Sequence, residues 1–401
     1  MTDRAYVPSE SVAVALGAEA VAGALSMSGS EVVRNGSRGL LWAEPMVEIE
    51  RDGHRTAYGP IGPNDTDALD ARELGDVDDL LAGQRRVIFG NCGAYEPTSL
   101  DAYRGHGGFS TSDADPQSII DEVKTAGLRG YGGAGFPAYR KWQTAADTPA
   151  DQKYLVANAD EGDSGTFADR LIMEGDPFLL IEGMKIAGRA IGATHGVIYL
   201  RSEYPVAAVV LAEALAVARA GGILGHDFDI DLFIGAGAYI CGEATSLLES
   251  LEGKRGEVRV KPPPMAVRGL YGKPTVVNNV LTLCAVPWIM RHGGATYAEL
   301  GIGPSTGTMP FQLGGNVKRG GLYELEFGVT LGELVEHWGG GTRSGRPVRA
   351  VQVGGPLGAY LTPRHFDVPM TYEALREIGA DIGHGGVVVF DDSVDMAEQA
   401  R

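Results

Sequence analysis

Cysteine is scarce in this chain. There are three in 401 residues, Cys92, Cys241 and Cys284. They lie far apart and form no Cys-x-x-Cys, so no zinc site or iron–sulfur cluster is specified locally, and reduced thiols of a cytoplasmic protein are the simplest reading. Basic residues are short too: 34 Lys and Arg stand against 52 Asp and Glu, for a net charge of −18. Nucleic acid or an anionic membrane as the main partner would want a basic face, and this balance argues against both. No apolar run approaches the roughly 20 residues that a membrane-spanning helix needs. The start, Met1-Thr-Asp-Arg-Ala-Tyr6, lacks the basic and apolar regions of a secretory leader. There is no Gly-x-x-x-x-Gly-Lys-Ser/Thr, which argues against a Walker-type ATPase, and no Gly-x-Gly-x-x-Gly followed by an acidic residue at the usual dinucleotide distance. No Ser/His/Asp or paired-acid pattern suggests a nucleophile, and His337, His365 and His384 are isolated.

Glycine is what the chain has in excess, 59 residues without a collagen-like period. It is densest in Gly127-Leu-Arg-Gly-Tyr-Gly-Gly-Ala-Gly-Phe-Pro137, followed by Lys141-Trp142. A loop this poor in Cβ atoms brings backbone N–H groups close to an anion, and Lys141 adds a point charge for a phosphate or ribose hydroxyl. The plainer reading is a flexible surface turn. A second such loop, Gly235-Ala-Gly-Ala-Tyr-Ile-Cys-Gly-Glu243, runs into a predicted helix through Leu247, Leu248 and Leu251. Helix N–H groups there favour an anion. Glu243 would accept hydrogen bonds from a ligand or, more plainly, serve the first turn of the helix.

Around these loops the pattern is α/β. Residues 1–80 read as a small unit: a helix over 11–25, strands at 31–34 and 40–42, and a hairpin over 45–58 that turns at Asp52-Gly53. Residues 81–125 read as a connector. Strands at 153–157, 196–200 and 228–232 alternate with helices starting at Pro177 and near Tyr204, which predicts a largely parallel sheet. The first of these strands ends in Asn158-Ala-Asp-Glu-Gly-Asp-Ser-Gly165, and open α/β sheets place ligands at such strand ends. Lys261-Pro-Pro-Pro264 predicts a stiff polyproline II segment holding one Lys. In Gly272-Lys-Pro-Thr-Val-Val-Asn-Asn279 the paired amides suit a ring rich in donors and acceptors, and Asn278 or Asn279 suits a helix N-cap. From 307 to 360, strand, strand, a helix over 330–338 and strand give a β-grasp order. Cys92 sits in a turn setting, Gly90-Asn-Cys-Gly93.

Together these motifs, in this order, resemble the NADH-oxidising flavoprotein subunit of respiratory complex I and of soluble NAD-dependent hydrogenases and formate dehydrogenases, over about residues 110–392. The fold this implies is α/β: a thioredoxin-like unit without cluster cysteines (1–80), a connector (81–125), a Rossmann-like FMN/NADH domain (126–305), a β-grasp SLBB domain (306–365) and the start of a further region (366–401). Asp160-Glu-Gly-Asp-Ser-Gly-Thr-Phe167, Arg201-Ser-Glu-Tyr-Pro205 and Gln352-Val-Gly-Gly-Pro-Leu-Gly-Ala-Tyr360 are similar to the formate dehydrogenase beta branch. The resemblance implies FMN at Gly130, Gly132, Gly133, Lys141, Asn158, Asp160, Gly242, Glu243, Asn278, Asn279 and Thr282. It implies NAD(H) over the flavin, with Phe136 on adenine and Asp163, Tyr239, Lys141 and Lys261 near ribose or phosphates. No side chain need act as a catalyst, because hydride passes between the cofactors. The family pattern reads Gly-Glu-Glu-Thr where this chain has Gly242-Glu243-Ala244-Thr245, which implies weakened nucleotide binding at Ala244. Thr144 stands where some relatives carry a second aromatic.

Family members continue into a helical domain with a Cys-x-x-Cys-x-x-Cys run and a later Cys that bind a [4Fe–4S] cluster; the cluster is expected in that missing C-terminal region, with this chain expected to be truncated or, alternatively, to work as an isolated diaphorase. Implied partners are a formate dehydrogenase alpha subunit with molybdenum or tungsten and iron–sulfur clusters, and a gamma subunit with a [2Fe–2S] cluster. The alternatives are a complex I subunit, a hydrogenase diaphorase subunit, or a non-catalytic flavin-binding scaffold.

Overall fold

The structure, a computed structural model, describes residues 4–111, 113–356 and 358–399. The chain divides into two compact units. One holds the chain up to Ser99, Glu174–Asp176 and the chain from Thr308; the other holds Leu100–Met173 and Pro177–Gly307. The expected connector is therefore shared between them rather than standing apart.

In the first unit, a five-stranded sheet runs in the order 31–35, 4–8, 47–51, 54–58, 73–76. The first two strands are parallel and the rest antiparallel. The expected single helix is two, Ser11–Ala15 and Ala18–Met27, because Gly17 between them takes φ 104. Glu10 caps the first, accepting from Ala13 N at 2.7 Å. The hairpin turns at Asp52 (φ 52) and Gly53 (φ 82), left-handed at both positions as a type I′ turn requires. The strand expected at 40–42 is instead a short 3-10 turn, Leu41–Ala43. Cys92 is fully buried, and burial pushes its thiol far up, which makes it inert.

The unit's second sheet has the order 321–326, 308–315, 386–391, 348–353, 359–361. Strand Gly386–Asp391 lies at its centre, parallel to Thr308–Gly315 and antiparallel to Val348–Val353. The β-grasp sheet thus extends past residue 365, where the sequence places a boundary. The helix expected over 330–338 is a π-helical turn, Glu333–Trp338.

The second unit is built on four parallel strands: β1 (Tyr154–Ala159), β2 (His195–Leu200), β3 (Asp229–Ile234) and β4 (Thr275–Asn279). Their order is β3-β2-β1-β4. The chain steps outward from β1 to β3, then returns to the far side of β1. The order reverses between β1 and β4, and in open α/β sheets the crevice at such a reversal, beyond the strands' carboxyl ends, is where ligands bind. Five helices matter to it: α1 (Ala138–Asp147), α2 (Pro177–Ile191), α3 (Pro205–Ala220), α4 (Ala244–Leu251) and α5 (Val280–His292). All of α2 is buried except Lys185 and Arg189, so it is a central helix rather than an amphipathic one. It approaches α5 so closely that a Cβ on Gly183 would lie 2.1 Å from the Leu283 carbonyl oxygen.

Candidate functional site: a glycine cradle at the strand-order reversal

The glycine-rich loop leaves and rejoins itself like a hairpin. Gly130 N donates to Phe136 O and Ala138 N to Leu128 O, each at 2.9 Å. Between these bonds Gly133 has φ 96 and Gly135 φ 59, a region that side chains rarely allow. The loop is pinned from below by Tyr131, whose N–H donates to Thr282 Oγ1 at 3.0 Å and whose hydroxyl meets that of Tyr297 at 2.7 Å. A Cβ on Gly132 would come 3.4 Å from that of Asn279. The cradle therefore sits over the end of β4 and the start of α5.

Lys141, in the first turns of α1, donates to Val277 O at 3.2 Å. Burial pushes its ammonium below the ordinary range, and nearby Lys261 pushes the same way. Among the described residues no carboxylate forms an ion pair with it. A desolvated cation whose charged neighbour is a second cation is matched to an anion from outside the chain.

On the other side of the crevice, Asn158 donates to Gly242 O at 2.8 Å and accepts from Asp160 N at 3.1 Å. This joins the loop after β1 to the second glycine loop, where a Cβ on Gly242 would stand 3.4 Å from Asp160 O. Asp160 is pushed up to about 6 by burial, against the pull of Arg201 and with a push from Glu203. The folded chain thus holds this proton more tightly than the unfolded one, and Asp160's contribution to stability falls as pH rises from near 3.8 to about 6. Asp160→Asn is expected to raise the melting temperature at neutral pH and to flatten that fall; melts across the window with an unchanged slope would refute this.

The second loop corrects one expectation. The free N–H groups of α4 do not await an anion: Glu243 caps them, accepting from Thr245 N at 2.8 Å and Ser246 N at 2.9 Å. Burial pushes this carboxyl up, but the Thr245 hydroxyl that also donates to it, those two N–H groups and Lys261 outweigh burial and hold it below the ordinary range. Its other oxygen lies 3.5 Å from Lys261 Nζ. The expected polyproline II segment is likewise interrupted, since the Lys261–Pro262 and Pro262–Pro263 bonds are cis. Ala244 opens α4. Tyr239 donates to Asp163 at 2.9 Å. Phe136 is 44% and Tyr239 56% exposed, which leaves two aromatic faces open to a flat ligand. Thr144 is turned to its own helix, donating to Arg140 O at 2.8 Å.

The residues singled out in the sequence thus form two groups, one around the glycine cradle and one around Asn158 and the second loop, which the pairing of β1 with β4 sets side by side. Sequence reasoning missed two that hold them. Asp169 is buried and accepts from Asn279 Nδ2 at 2.8 Å. Trp142 is buried and donates to Asn278 Oδ1 at 2.9 Å. Among the described residues, the buried Asn278 Nδ2 has no partner. An unmatched buried donor, an unmatched desolvated cation and a loop open to close backbone approach together fit a phosphorylated planar ring such as FMN.

Comparison with known proteins agrees with the site. The family pattern described as the Nuo51 FMN-binding domain matches residues 123–288, and that of the SLBB domain matches 310–359. The chain is 44% identical over 329 residues to the NADP-reducing hydrogenase subunit HndC of Solidesulfovibrio fructosivorans, covering 79% of this chain and 67% of that protein. It is 42% identical over 319 residues to an NADH-quinone oxidoreductase subunit of Escherichia coli (strain K12), covering 76% of this chain and 72% of that one. A crystal structure of an NAD+-reducing [NiFe]-hydrogenase in the H2-reduced state aligns with a TM-score of 0.67 and 32% identity, over 98% of this chain and 69% of that chain. No helix among the described residues is long and apolar enough to cross a membrane. The chain belongs to the complex I 51 kDa flavoprotein family of oxidoreductases acting on NAD(H), and its glycine cradle lies within that family's FMN-binding domain.

Proposed function

We propose that this chain is the flavoprotein subunit of a cytoplasmic, multi-subunit, NAD-linked formate dehydrogenase. The observation that carries its flavin chemistry is the cradle at the β1/β4 reversal, with Lys141 and Asn278 Nδ2 unmatched inside it. When bound, FMN supplies a ring that exchanges a hydride with NAD(H). The chain's own work is binding and orientation. The Gly130, Gly132 and Gly133 backbone and Lys141 hold the phosphate. Asn158, Asp160, Gly242, Glu243, Asn278, Asn279 and Thr282 form the walls. Phe136 and Tyr239 cover the dinucleotide and keep water out, with Asp163 and Lys261 at its polar groups. No side chain takes the hydride.

Formate itself would react at a molybdenum or tungsten centre in a partner subunit, and a further [2Fe–2S] partner would relay electrons. The support for this branch is the sequence pattern at 160–167, 201–205 and 352–360 together with the fused N-terminal unit. A second reading, a hydrogenase diaphorase subunit, is favoured by the hydrogenase structure that spans nearly the whole chain. Incubation of the purified chain with FMN should give a yellow protein whose visible bands bleach on adding NADH; a colourless product would refute the flavin reading. Affinity purification from the source cells should bring down a complex that reduces NAD+ with formate. Reduction with hydrogen and not formate would decide for the second reading.

A further inference from the structure

Trp142 follows Lys141 in α1 and is fully buried. Its indole N–H donates to Oδ1 of Asn278 at 2.9 Å. An indole nitrogen only donates, whereas an amide has one accepting oxygen and one donating NH2. With Trp142 present, only one orientation of the Asn278 amide is workable, because the flipped amide would set two donors against each other. The oxygen is thereby used, and Nδ2, on a residue 2% exposed near the carboxyl end of β4, has no partner among the described residues. Leaving such a donor unmade is costly. The neighbouring amide contrasts with it. Asn279 accepts from Leu281 N at 2.9 Å and donates to Asp169 at 2.8 Å, so both its ends are engaged within the chain.

We infer that Trp142 is a positioning residue for the flavin: it locks the Asn278 amide so that Nδ2 donates to an acceptor atom of the bound cofactor. The two adjacent asparagines then divide the work, Asn279 serving the helix and Asn278 the ligand. This rests on the reading of the cradle as an FMN site.

The test is a double-mutant cycle read by flavin fluorescence, with Trp142→Phe, Asn278→Ala and the pair. Each single change should weaken FMN binding about tenfold. The pair should be no weaker than Asn278→Ala alone, within about twofold, because Trp142 acts only through that amide. Additive losses would overturn the assignment while leaving the flavin site standing. Asn278→Asp gives an arm that does not depend on Trp142→Phe folding. It keeps an acceptor for the indole and, ionised at about pH 8 or above, offers no donor, so it should lose FMN there as Asn278→Ala does, and the flavin-free protein should melt lower because the new charge is buried. Wild-type affinity in Asn278→Asp would also overturn the assignment. A wild-type chain that takes up no FMN would instead sink the flavin reading beneath it.

Discussion

Gly183→Ala is expected to lower the melting temperature by about 10 °C and to weaken FMN binding at least tenfold. The added Cβ would stand 2.1 Å from the Leu283 carbonyl oxygen and 2.7 Å from its carbon. Both partners are backbone, so no side chain can turn away. Overpacking of this kind costs typically 1–3 kcal/mol, and a backbone clash belongs at the upper end. For a unit of roughly 200 residues each kcal/mol moves the midpoint by about 2–4 °C. The only relief is for α2 and α5 to part. Helix α5 begins just after Asn279 and carries Thr282, beside Leu283, so the floor of the cradle shifts with it. A shift of about 1 Å is enough to weaken a positioned site severely. Gly23→Ala is the control. Gly23 lies on the exposed side of the helix Ala18–Met27 with nothing within 4 Å of its Cβ position, so it should stabilise by up to about 1 kcal/mol. If Gly183→Ala melts with the wild type, the close crossing of α2 and α5 is not as described.

What the sequence reveals and what it hides divide along one physical line. The two glycine loops, Asn158, the Asn278–Asn279 pair and Lys141 are visible because local chemistry marks them: missing Cβ atoms, amides at strand ends, a charge beside a turn. Side-chain partners across strands are hidden. Nothing local in Trp142 indicates that its N–H holds Asn278, 136 residues on. The adjacent Lys141 is the available signal, since a large aromatic next to a ligand cation is well placed to order it. Asp169 is hidden for the same reason, as its amide partner Asn279 is 110 residues away. Strand Gly386–Asp391 falls outside the expected β-grasp boundary because strand order is not chain order. Its apolar run, Val387-Val-Val-Phe390, carries no sign that it inserts at the centre of the sheet. The 3-10 turn at Leu41–Ala43 shows the opposite error, where apolar residues suggest a strand and the chain turns instead. Glu243 is the instructive case at the site itself. The motif suggests a ligand contact, and one of its oxygens is given to capping α4.

Ala244→Glu is expected to tighten NADH binding by about 10- to 150-fold, the worth of one charged hydrogen bond at roughly 1.5–3 kcal/mol. Ala244 is the first residue of α4, beside the Glu243 cap, and is partly buried against the cluster of Val156, Cys241 and Leu248. A carboxylate in a first turn is favoured by the helix dipole, by about 0.3–1 kcal/mol at an exposed position, even where the N–H groups are already capped. Lys261, 3.5 Å from Glu243, already balances that carboxylate, which lessens its repulsion of a second acid. The next residue, Thr245, lines a cleft of about 510 Å3 together with Arg259, Lys261, Arg268 and Tyr271 among others. FMN affinity should stay within about twofold of wild type, since the cradle contacts at Gly132, Lys141 and Asn278 do not involve residue 244 and Glu243 keeps its capping bonds. Ala244→Gln separates charge from shape: an amide of equal size should recover only part of the gain, and the gain of the acid should shrink as salt is added. Titration of NADH into the FMN-loaded proteins reads all three. An Ala244→Glu protein with wild-type NADH affinity would mean that the small residue here is not what limits nucleotide binding, and that the dinucleotide takes its hold from Phe136, Tyr239 and Lys261 alone.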